Sequence, residues 1–89
     1  MALSKYKELQ IANAMYAFVS GLFVDFSNPN NRGKNFSWED FPDLVADYSY
    51  GTVLANIPMT KKNKTEVIET AKRMAKEIAT NLVNRKNNP

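Results

Sequence analysis

Cysteine and histidine are both missing from this chain. Without cysteine there is no disulfide staple and no thiolate metal site. Without histidine the commonest general base and zinc ligand is gone. The nine acids are scattered or matched with bases, so neither a carboxylate metal site nor a paired acid–base site is legible. No GxSxG, HExxH, phosphate-loop or calcium-loop motif occurs. The expectation is a non-enzymatic protein with no cofactor and no metal. The absence of cysteine also fits a reducing compartment, and a cytoplasmic location is expected. Charge of one sign is sparse as well. Twelve bases against nine acids leave +3, short of the dense clustering of a dedicated nucleic-acid binder.

Apolar material is plentiful by contrast, at 44% of 89 residues, enough for a folded domain. A chain of this size buries only about 60–65% of its unfolded surface, so a partner adds stability that the core alone supplies poorly. The greasiest stretch is Ile11–Phe26, IANAMYAFVSGLFVDF. Lysines precede it as in a signal peptide, but Glu8, Gln10 and Asn13 interrupt it and no small-x-small site follows Phe26. The run also falls short of the ~20 apolar residues of a membrane span and contains Asp25, so no membrane association is expected.

On a helical wheel the stretch has two faces that differ in size rather than in polarity. Ile11, Ala12, Met15, Tyr16, Phe18, Val19, Leu22, Phe23 and Phe26 fall on the large side, expected to build the core. Ala14, Ala17, Ser20, Gly21 and Val24 fall on the other. Small side chains let a second backbone come close. These five residues are therefore the expected contact with another copy of the chain, a dimer in the simplest case.

Three helices follow from the punctuation. Ser4 is a good N-cap for a helix over about 4–26. SNPNNRGKN then makes a loop over 27–36. Arg32 and Lys34, flanking Gly33 in it, are candidates for a phosphate contact, although a plain connector suits the composition better. A second helix is expected over 38–57. It begins with a Ser37-x-x-Asp40 capping pair and a Phe36–Phe41 staple, or with Asp40 as cap and Pro42 in the first turn. A break near Gly51 would make it two pieces, and YSYGTVLANI also reads as a short strand. The third helix, about 61–84, has Thr60 or Asn63 as cap and an Asn63-x-x-Glu66 pair, with 85–89 as a frayed tail.

The fold class expected is therefore all-α: a single-domain three-helix bundle, helices one and three pairing through their large faces. Phe36, Trp38, Phe41, Tyr48 and Tyr50 are an aromatic group that either caps the core or forms a protein-binding hot spot. The functional expectation is a small helical interaction or regulatory protein acting as a homo-oligomer and binding a protein partner or regulatory ligand. The alternative is a nucleic-acid-binding regulator that presents Lys61, Lys62 and Lys64, with Arg32 and Lys34, to phosphates.

Overall fold

A computed structural model describes residues 3–87. It contains three helices: α1 (Lys5–Ser27), α2 (Phe41–Asn56) and α3 (Lys64–Asn87). Short 3-10 turns at Pro29–Asn31 and Trp38–Asp40 lie in the first connection. No strand is present among the described residues. The protein is an all-α, three-helix domain with dimensions of 40 × 24 × 16 Å.

Each helix begins where its local chemistry dictates. The Ser4 hydroxyl accepts from the Lys7 N–H at 3.1 Å, satisfying one of the unpaired donors of the first turn. Before α2, Ser37 starts the 3-10 turn, its hydroxyl accepting from the Glu39 N–H at 3.3 Å. The α-helix proper starts at Phe41 with Pro42 in the first turn, where its missing N–H costs nothing. So α2 begins three residues later than position 38, and Asp40 flanks it without a side-chain cap bond. Before α3, Thr60 and Asn63 cap each other. The Thr60 N–H donates to Asn63 Oδ1 at 2.8 Å and the Asn63 N–H to Thr60 Oγ1 at 3.2 Å. This reciprocal pair replaces the expected Asn63–Glu66 one and delays the helix from 61 to 64. At the far end α3 continues through Arg85 and Lys86 to Asn87. Basic side chains there suit the negative end of the helix dipole, so 85–87 are helical rather than frayed. Residues 88 and 89 lie outside the described residues.

α2 is continuous across Gly51, contrary to a break or a strand. Phe41, Val45, Ser49 and Val53, four residues apart, form one buried stripe that only an unbroken helix can present. The buried Ser49 hydroxyl donates to the Ala46 carbonyl at 2.6 Å, so the stripe carries no orphaned polar group. A Cβ added at Gly51 meets nothing within 4 Å. Gly51→Ala is accordingly expected to stabilise the protein by about 0.5–1 kcal/mol. Thermal denaturation should show Tm rising by about 4 °C.

The helices run up, down and up. Lys7 Nζ reaches the Pro58 carbonyl at 3.0 Å, joining the start of α1 to the end of α2. Leu9 and Ala12 lie by Met74, and Tyr16 by Ile78 and Leu82, so α1 and α3 are parallel. α3 packs most extensively on α2 and next on α1, whereas α1 and α2 meet over a shorter stretch. The expected pairing of helices one and three is thus secondary to the α2–α3 contact. The reason lies in α3 itself. Its buried stripe is Val67, Ala71, Ala75, Ala79 and Val83, and three fully buried alanines let neighbouring helices approach closely.

Candidate functional site

Three regions contain the residues with functional potential, and the fold separates them. The first is the aromatic group. Phe36, Trp38 and Phe41 join Phe23 and Phe26 of α1 in a cluster of rings. Trp38 lies 5.1 Å from Phe36, 5.2 Å from Phe41 and 5.2 Å from Phe23 between centroids. Edge-on and tilted geometries prevail, as the ring quadrupoles favour. The Phe36–Phe41 staple forms, with centroids 6.5 Å apart. Tyr48 and Tyr50 do not join this cluster. They stand on α2, 57% and 46% exposed, and two helical steps of about 100° each set them well apart around the helix axis. The five aromatics are therefore not one surface, and three of them close one end of the core.

The connection after α1, residues 28–40 rather than the expected 27–36, serves that same end. α1 terminates with carbonyls that lack helical partners, and the loop supplies donors. Within the last turn of α1 itself, the Ser27 hydroxyl donates to the Phe23 carbonyl at 2.8 Å. The Asn31 side-chain amide donates to the Asp25 carbonyl at 3.2 Å. Arg32 Nη1 donates to the Phe26 carbonyl at 3.1 Å. The Arg32 guanidinium also lies 5.7 Å from the Phe36 ring centroid and 5.8 Å from that of Trp38, within cation–π range. Lys86 lies 5.4 Å from the Trp38 centroid. Arg32 is thus engaged as a clamp on the aromatic end, and only Lys34 of that loop pair stays exposed.

Basic residues form the second region. Lys61, Lys62 and Lys64 are exposed at the start of α3. Arg32 and Lys34 belong to the other end of the molecule, where Lys86 and Trp38 meet. The length of α3 separates the two groups by roughly 30 Å at 1.5 Å per residue. The five bases grouped as a nucleic-acid contact are not together. Lys7 of α1 comes instead to the end where α3 starts, its Nζ bonded to the Pro58 carbonyl three residues before Lys61.

The third region is the outer face of α1. Ile11, Met15 and Val19 are fully buried, whereas Ala17, Gly21 and Val24 of the small-residue side are exposed. Ala14 and Ser20 are half-buried, Ala14 packing against the core. A Cβ at Gly21 meets nothing within 4 Å. The exposed face also carries large residues: Tyr6 is 78%, Leu9 61%, Tyr16 59% and Val24 69% exposed. From Leu9 to Val24 no residue is charged, a length of about 24 Å. By length and composition alone α1 is long and apolar enough to cross a membrane, and 17% of that stretch is buried within the fold. A shallow groove between α1 and α3 borders the face, lined by Leu9, Ala12 and Met74 with Lys5 and Glu8. The sequence pattern located the small residues here but not Tyr6 and Leu9, and it set Tyr16 on the core side, where it is instead exposed, because Tyr16 lies at the edge of the large arc and the wheel alone does not show which arc the other helices leave open.

No cluster of three or more histidine, cysteine or carboxylate groups occurs among the described residues. No family model, no curated protein and no solved structure matches the chain.

Proposed function

We propose that this is a small, non-enzymatic interaction protein that works as a dimer joined through the outer face of α1. The observation that carries this reading is the exposed, charge-free run from Leu9 to Val24. Contiguous apolar surface of that kind marks interaction sites in small domains. A second copy suits it better than an unrelated partner for two reasons. An isologous interface brings a patch against itself, and a patch without charge does so with no like-charge repulsion. The other helices offer less: α2 exposes Tyr48, Tyr50 and Leu54 on a shorter charge-free stretch that follows the exposed Asp43 and Asp47, and α3 exposes Lys72, Arg73, Lys76 and Glu77. Large and small residues also alternate along α1. An antiparallel approach sets Leu9 of one copy over Gly21 of its partner and Asn13 over Ala17. The small residues then act as the holes for larger side chains, as in helix pairs generally.

Substitutions on this face test the proposal. Gly21→Leu fills the hole and Val24→Glu places a charge in the interface, yet both positions are open in the single chain. Each variant is expected to sediment as a monomer with unchanged helix content. Wild-type mass in both variants would remove this face from the assembly. Helix loss with unchanged mass would give Gly21 an internal role instead.

A further inference from the structure

We infer a second binding surface, adjoining the α1 dimer face at Tyr6: the lysine-rich end of the molecule binds the phosphate backbone of single-stranded nucleic acid, with Tyr6 stacking on a base. Three separate segments contribute to it. The first turn of α1 supplies Lys5, Tyr6 and Lys7, the turn after α2 supplies Pro58, and the approach to α3 supplies Lys61, Lys62 and Lys64. The hydrogen bond from Lys7 Nζ to the Pro58 carbonyl, 3.0 Å, ties the first segment to the others. Lys5, Lys61, Lys62 and Lys64 are exposed, and the ion pair between helices lies elsewhere, joining Lys76 to Asp43 at 3.0 Å. The acids on these segments are Glu8 and Glu66, so the end keeps an excess of positive charge that the chain's total of +3 conceals.

Charge alone would suit any polyanion. Tyr6 narrows the choice. It stands between two lysines in sequence and is 78% exposed, the most open of the large apolar side chains. An exposed ring at the lysine-rich end of the chain's first helix provides what single strands use: a face for base stacking near groups that neutralise the backbone. Duplex readers instead insert a helix surface into a groove, and the exposed face of α3 mixes Lys72, Arg73 and Lys76 with Glu69 and Glu77.

The test is fluorescence anisotropy with a labelled thymidine oligonucleotide of about 20 residues, titrated across salt concentrations. Four phosphate contacts predict a slope of log affinity against log salt of about −3. The double variant Lys61→Gln, Lys62→Gln should make that slope shallower by about 1.4. Tyr6→Ala should weaken oligonucleotide binding by roughly tenfold or more while leaving binding to heparin, which has no bases, unchanged. All the substituted side chains are exposed, so circular dichroism should stay the same. The inference is overturned by absence of oligonucleotide binding at low salt. It is overturned equally by lysine variants that retain the wild-type slope, or by a Tyr6→Ala variant of wild-type affinity. Binding to phosphatidylglycerol-containing vesicles without oligonucleotide binding would assign the lysines to a lipid surface and overturn it too.

Discussion

Replacing Phe41 with alanine should lower the unfolding free energy by about 3–5 kcal/mol, the range for a buried aromatic removed from a core. Phe41 is fully buried. Its ring touches four others, with centroids 5.2 Å away for Trp38, 5.9 Å for Phe26, 6.0 Å for Phe23 and 6.5 Å for Phe36. It is the point at which the end of α1, the loop and the start of α2 meet. Domains of this size are stable by only about 5–10 kcal/mol, so the loss removes much of the total. Urea denaturation followed by fluorescence of Trp38, the single tryptophan, reads the change from within the cluster. Tyr48→Ala provides the contrast, because that ring is 57% exposed and its removal should cost no more than about 0.5 kcal/mol. Similar effects at the two positions would contradict the division of the aromatics into core and surface.

The second large effect is expected at Ala75. With Ala71 and Ala79 it forms the fully buried stripe that lets α2 and α1 approach α3. Leucine adds three carbons where helices already touch, and overpacking of this kind costs about 1–3 kcal/mol or more. Thermal denaturation of Ala75→Leu should show Tm falling by about 5–15 °C. A Tm equal to wild type would mean that the helices stand further apart at this level than described.

These two positions show what the sequence reveals and what it withholds. Helix number and approximate limits are legible because Ser4, Pro42 and the polar loop after Phe26 act locally. The amphipathic period of α3 is legible too, since Ala71, Ala75 and Ala79 lie on its apolar side. Their place at the centre of the packing is not, because a wheel ranks residues by direction and says nothing about which neighbour arrives. The same limit applies to α1. Its small residues suggested a close contact, yet within one chain the close contacts belong to the alanines of α3, and Ala17 and Gly21 face outward. Arg32 illustrates a third limit. Its role depends on the loop folding back until its guanidinium reaches the Phe26 carbonyl and the Phe36 and Trp38 rings, a tertiary event that spacing alone does not encode. The lysine end is a similar case, since Lys7 and Pro58 are far apart in sequence and are joined only through the up-down-up path.

The outward face of α1 is the feature on which the functional reading depends. Sedimentation equilibrium of the wild-type protein, over about 1–500 μM, tests it most directly, because interfaces of modest area associate in the micromolar range. The mass should rise with concentration from that of the 10.1 kDa chain to twice that value and stop there. A mass of one chain across the whole range would contradict the dimer and leave the face from Leu9 to Val24 without the partner proposed for it.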